Sequence, residues 1–181
     1  MDLTEKTLEQ NVLLNGRILK MHVDKVELPN GELAEREVVD HPGGVCVAPL
    51  TAEGDLLFVR QFRYPYAEVV LELPAGKRDP GEDPMATGIR ELQEETGASA
   101  DRMIELGRCY PSPGYTSEII YLFGATGLHM GEMHPDDDEF LEPERIPLEV
   151  AVEMVMNGVI TDAKTQILIL KLWKLRMEGE L

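Results

Sequence analysis

The segment from Asp83 to Gly97 constrains this chain more than any other, because both ends of a helix are written into it. Asp83 suits the N-cap, Pro84 the first helical position, and Gly97 the residue just past the last turn. The last turns read Arg90-Glu91-Leu92-Gln93-Glu94-Glu95-Thr96 and crowd three carboxylates together. Glu91 and Glu95, four apart, share a face, and Glu94 lies three from Glu91. Like charges at this spacing cost about 0.2–0.5 kcal/mol per pair, and they sit at the negative end of the helix dipole. A helix face built for solubility interleaves lysines. Here the nearest cation is Arg90, placed to pair with Glu94 or to reach back toward Glu82. Local physics disfavours the arrangement, and a bound cation repairs it. Carboxylate oxygens on one rigid face suit Mg²⁺, which binds through a few carboxylates, water and substrate phosphates. Taken alone, the fragment is more often an acidic helix end with no ligand.

The wider spacing changes that balance. Gly76 is followed through five residues by Glu82, and Glu82 through seven more by Arg90-Glu91-Leu92-Gln93-Glu94-Glu95-Thr96-Gly97-Ala98. At every fixed position this resembles the Nudix hydrolase signature GX5EX7REUXEEXGU, where U is apolar. The resemblance implies an α/β/α sandwich with a mixed sheet. It also implies hydrolysis of a nucleoside diphosphate linked to a further moiety, with Mg²⁺ (Mn²⁺ as a possible substitute) as cofactor. It makes Glu91 and Glu95 direct metal ligands, Glu94 a ligand or a group just behind them, and the carbonyl of Ala75 a further ligand. Arg90 then pairs with Glu82 as scaffold, Leu92 and Ala98 are core contacts, and Gly76 lets the backbone leave its strand sharply.

The 181 residues suffice for one domain with a small extension, and 43% hydrophobic content supports a sizeable core. A net charge of -17 argues against a nucleic-acid partner, which calls for a basic face. It is compatible with an anionic small substrate where metal ions or placed arginines invert the local sign. Cys46 and Cys109 form no metal-binding pattern and read as reduced thiols of a cytoplasmic protein. The polar start MDLTEKTLEQ is no signal peptide, and the apolar run ILILKLW is too short and interrupted to span a bilayer.

Residues 1–41 alternate apolar and polar and read as three short strands, with turns at Asn15-Gly16 and Pro29-Asn30-Gly31. So small an antiparallel sheet is marginal alone and needs a further surface to pack on, in this chain or in a second copy. His41-Pro42-Gly43-Gly44 marks a boundary, and residues 42–181 form the main domain. Within it, strands are expected at 45–50, 55–63, 69–76, 103–110 and 118–126. A polar, acidic loop follows over 129–144, then a helix from Pro147 to Gly158 and a well-buried last helix over 162–177.

Features outside the motif resemble the ADP-ribose pyrophosphatase subgroup. Pro113 follows Ala98 by fifteen residues, QFRYP and LELPAG lead into the motif, and DAKT opens the last helix. That likeness implies ADP-ribose as substrate, AMP and ribose 5-phosphate as products, and a homodimer. It places Arg63 on the diphosphate or distal ribose, Pro113 and Gly114 at the substrate, and Arg36 with Glu37 at the nucleoside. Arg36 reads equally as an ordinary exposed strand charge. In the acidic loop, Asp137-Asp138-Glu139-Phe140 is similar to the subgroup's D-x-E-F pattern. Glu139 is therefore the first choice for the general base, with Asp136 or Asp138 as substitutes and Glu118 a lesser site carboxylate. One departure is the lack of Trp, Tyr or Phe before Phe58. Ile18, Met21 or His22 would have to meet the base, and Trp173 reads as core. ADP-glucose or GDP-mannose are the alternative substrates. A non-catalytic sensor is disfavoured, since all three motif glutamates remain and no helix-turn-helix or basic region is visible.

Overall fold

The computed structural model describes residues 2–136 and 139–181. The chain divides into two compact units, Met1–Gly43 with Tyr110–Ile119, and Gly44–Cys109 with Ile120–Leu181.

The first unit is an antiparallel sheet of β1 (Lys6–Asn15), β2 (Lys20–Glu27) and β3 (Leu33–Asp40), in that order. The two expected turns connect them. Gly16 closes one through its N–H to the Leu19 carbonyl at 2.9 Å, and Gly31 takes a positive φ of 84° in the other. Strand β2 buries His22, Asp24 and Val26, which share one face at the strand period of two. Every residue of β1 is exposed. Tyr110–Ile119 joins this unit because it pairs with the end of β3. The Val39 N–H donates to the Tyr115 carbonyl, and the Ser117 N–H donates to Val39.

The second unit holds β4 (Gly44–Pro49), β5 (Asp55–Arg63), β6 (Glu68–Glu72), β7 (Ala75–Lys77), α1 (Pro84–Thr96), β8 (Ala98–Cys109), β9 (Ile120–Met130), β10 (Leu141–Pro147), α2 (Leu148–Met156) and α3 (Ala163–Met177). A mixed sheet runs β7-β4-β9-β8, with β4 and β9 parallel, and a second sheet runs β10-β5-β6. Alternation along the strands builds the sandwich. Cys46, Ala48, Leu56, Phe58, Ile120 and Leu122 pack with Leu148, Leu168, Ile169 and Leu172 of α2 and α3. The intervening Val45, Val47, Leu57, Phe123 and Ala125 pack with Leu92 of α1. Both faces of β4 are thus buried, which removes water from the helix seats; each fully buried Leu, Val or Phe contributes about 1.5–3 kcal/mol. Helix α1 sits close to the sheet because a β-carbon at Gly88 would already meet Phe123 at 3.3 Å and Val47 at 3.4 Å.

Two element assignments differ from the sequence reading. The single strand expected over 69–76 is two, broken at Leu73-Pro74, so that β6 and β7 belong to different sheets. Proline has no N–H for the ladder, and the chain crosses over there. Residues 141–147, read as loop and helix start, are strand β10, which among the described residues pairs with β5 alone. Its two prolines, Pro143 and Pro147, are tolerated because an edge strand leaves one row of N–H groups unneeded. Trp173 packs partly buried against the core, as expected. No disulfide joins Cys46 and Cys109.

Candidate active site

Helix α1 forms as its termini dictate. The Asp83 carboxylate accepts from the Met85 and Ala86 N–H groups, and Gly97 caps the far end at φ 69° with its N–H on the Gln93 carbonyl. The helix therefore ends where Glu91 and Glu95 face inward beside β7, and both are buried. The Glu95 carboxylate accepts from the Ala75 N–H at 3.0 Å. The Glu91 carboxylate lies on the bare face of Gly76, where any β-carbon would collide with it. Since the colliding atoms are the flexible end of a side chain, Gly76→Ala should fold with little loss of melting temperature. It should still lower kcat about 100-fold by displacing Glu91, which paired melting and turnover measurements would test.

Arg90 organises the remaining carboxylates. Its Nη1 donates to Glu91 and to Glu94, each at 2.8 Å, and its Nε and Nη2 meet Glu82 at 3.3 Å. Both expected partners, Glu82 and Glu94, are thus engaged at once, and Glu91 is added to them. Arg90 first, then the Asp79 N–H, hold the Glu82 carboxyl down to about 2. Burial pushes Glu91 up to about 7 although Arg90 opposes it, and pushes Glu95 up to about 8. The Glu139 charge adds to both shifts, so the loop carboxylate faces the same cluster. Glu139 also lines an open cleft with Arg60, Phe62, Val69 and Phe140. Of the substitutes, Asp136 accepts the Glu139 N–H through its carbonyl, while Asp138, like Asp137, lies outside the described residues.

Arg63 ends β5 in the same unit. It makes a two-pronged ion pair with Glu72, at 2.6 Å from Nε and 2.7 Å from Nη2. Lys164 binds the same Glu72 oxygen as Nη2 and also Asp162. Spacing alone could not reveal this network, since Glu72 and Lys164 are 92 residues apart; the sole signal was DAKT. The other expected substrate residues fall in the first unit. Arg36 is engaged there by Glu5 at 2.6 and 2.9 Å, Glu37 is exposed on β3, and Pro113 and Gly114 precede Tyr115, whose carbonyl pairs with Val39. Glu118 faces His41 at 3.6 Å in that unit, and His22 is locked against Asp24 at 2.7 Å.

Residues 40–171 match the NUDIX domain. The chain belongs to the Nudix family. Residues 5–39 match the nucleoside diphosphate sugar hydrolase N-terminal domain. The chain is 41% identical over 165 residues to the ADP-ribose pyrophosphatase of Bacillus subtilis (strain 168), covering 90% of this chain and 89% of that one. It is 42% identical over the same length and coverage to the methanol dehydrogenase activator of Bacillus methanolicus. To the GDP-mannose pyrophosphatase of Yersinia pestis it is 32% identical over 177 residues, covering 87% of this chain and 86% of that one. A solved structure described as an ADP compounds hydrolase shares the fold at TM-score 0.84 and 21% identity, with 100% of both chains covered.

As a Nudix enzyme the protein hydrolyses a phosphoanhydride bond of a nucleoside diphosphate-linked substrate. The family generally requires a divalent cation. Among the described residues no three His, Cys, Asp or Glu side chains converge as a closed metal cage. Arg90 holds Glu91 and Glu94, and the Ala75 N–H holds Glu95. The site still fits Mg²⁺, which takes one or two carboxylates plus water and substrate phosphates. Hard oxygen donors stand together at the Ala75–Gly76 peptide, and Gly76 keeps the space beside Glu91 clear. Among the described residues no helix is long and apolar enough to cross a membrane.

Proposed function

We propose that this Nudix enzyme hydrolyses ADP-ribose to AMP and ribose 5-phosphate with Mg²⁺, in the cytoplasm. The observation that carries the choice is the 41% identity, over 90% of the chain, to an ADP-ribose pyrophosphatase. In this reading Glu91, Glu95 and the Ala75 carbonyl hold the metal, with Glu94 beside them. Bound there, Mg²⁺ supplies charge neutralisation for the diphosphate and a lowered pKa for the attacking water. Glu139 takes the water's proton as the new P–O bond forms and one bridging P–O bond breaks. Arg90 keeps the glutamates in register, and Arg63 binds the diphosphate. Arg36 and Glu37 line the nucleoside site, and Pro113 and Gly114 shape the substrate's path.

The 32% identity to a GDP-mannose pyrophosphatase keeps another sugar nucleotide as the second reading. The test is a panel of ADP-ribose, ADP-glucose, GDP-mannose and NAD with Mg²⁺ or Mn²⁺, with products identified. AMP should form fastest from ADP-ribose; faster turnover of another substrate reassigns the enzyme to it.

We also propose that residues 1–41 form the extension that makes a homodimer around the 42–181 domain. Strand β1 leaves Leu8, Val12, Leu13 and Leu14 exposed, a sequence of apolar groups that a second copy would cover. Light scattering at micromolar concentration should give twice the chain mass, and a monomer would count against this.

A further inference from the structure

We propose that Glu72 and Lys164 are positioning residues that aim Arg63 at the substrate's diphosphate. The inference rests on the reading that Arg63 meets that group. It starts from a choice of partner. Register places Arg63 directly opposite Glu68, and Glu72 opposite Val59, four residues back along β5. Arg63 nevertheless ignores the near, exposed carboxylate and lies back along the sheet onto Glu72. Glu72 is almost completely buried, with 3% of its side chain exposed, and such a carboxylate must be paired.

Two cations share it. Burial alone would raise the Glu72 pKa, and Arg63 with Lys164 turns the shift downward. Lys164 keeps only 12% of its side chain exposed, with Asp162 on its other side at 2.9 Å. The Asp162 carboxylate also caps α3 through the Thr165 N–H, and the Thr165 hydroxyl accepts from the Leu73 N–H, next to Glu72. The result is a row of alternating charges, Asp162, Lys164, Glu72 and Arg63, built on the first turn of α3. Arg63 is its most exposed member, at 38%. Because Lys164 takes a share of Glu72, the arginine's charge is only partly cancelled. Among the described residues its Nη1 has no hydrogen-bond partner, and the Glu95 charge acts on the guanidinium. An arginine held by a two-pronged pair loses little further freedom when an anion arrives.

A purely structural network would stabilise the fold and leave anion binding alone, so the test is a double-mutant cycle on binding. ADP with Mg²⁺ is titrated into the wild type, Glu72→Gln, Arg63→Ala and the double variant. Glu72→Gln should weaken ADP about tenfold and Arg63→Ala at least as much, with the double variant no weaker than Arg63→Ala alone. An equal loss from Glu72→Gln in both backgrounds overturns the proposal, as does unchanged binding by folded Glu72→Gln. If Glu72→Gln does not fold, Arg63→Lys decides, since it sits at a half-exposed strand end and keeps the charge without the fork. It should bind ADP about tenfold more weakly than the wild type, and wild-type affinity would overturn the idea. Sugar-nucleotide turnover is measured alongside. Absent turnover with the expected cycle sinks the proposed function and leaves the positioning role standing, whereas no ADP binding by the wild type sinks both.

Discussion

Replacing Glu95 with glutamine is expected to lower sugar-nucleotide hydrolysis on the order of 10³-fold while raising the melting temperature of the metal-free protein. The two effects have one cause. Glu95 is 2% exposed, and burial and the Glu91 charge both work against its ionised form. A carboxamide keeps the shape and still accepts the Ala75 N–H, but it is neutral without the proton that a carboxyl titrating at about 8 must take up on folding. Relief of about 1–2 kcal/mol corresponds to a rise of roughly 2–8 °C in a chain of this size. Without Mg²⁺ the variant should melt higher than the wild type, and with Mg²⁺ the order should shrink or reverse. A lower melting temperature without metal would make Glu95 a fold-stabilising residue instead, and surviving hydrolysis would remove it from the site.

The stability of the metal-free protein should fall as pH rises from about 4.5 to about 8, and the stabilisation by Mg²⁺ should grow over the same interval. Glu91 titrates at about 7 and Glu95 at about 8 in the folded chain, against an ordinary 4.5. Between these values the folded state holds protons that the unfolded state has released, so stability declines with pH. The contribution is fully present below pH 4.5 and gone above 8. Each pKa unit corresponds to about 1.4 kcal/mol, which sets an upper limit of about 3–5 kcal/mol per glutamate. Glu72 and Glu82 are shifted downward and act in the opposite sense, but below pH 4.5. Melting curves with EDTA and with Mg²⁺ at pH 5, 6, 7 and 8 read both trends. A metal-free melting temperature that climbs from pH 5 to 8 would contradict this account. So would a Glu91→Gln/Glu95→Gln variant with the same slope.

Where local chemistry fixes the chain, the sequence was readable. Asp83, Pro84 and Gly97 announce α1 to the residue, because caps and a left-handed glycine act over one turn. The continuous apolar run of β4, GVCVAP, suits a strand buried on both faces. The family followed from the resemblance carried by the full motif, which residues 40–171 bear out. Legibility failed where a partner distant in sequence decides. LEPERIP looks like loop until its pairing to β5 is known, since only an edge position accommodates its prolines. By local pattern Glu72 is one more polar strand residue. Its two cations are brought by β5 and by α3, through contacts that no local pattern encodes. Tyr110–Ile119 gave no sign that it would join the first unit, because its link is backbone hydrogen bonding to Val39.

The close seat of α1 has a bearing on how such an enzyme tolerates change. At Gly88 the helix approaches the side chains of Phe123 and Val47, and at Gly76 the Glu91 carboxyl rests on naked main chain. The height of α1 is therefore gauged at Gly88, where bare main chain rests on Phe123 and Val47, while the Glu91 end at Gly76 keeps some give. A larger residue at Gly88 would lift α1, and Glu91, Glu94 and Glu95 with it, off the sheet as one body.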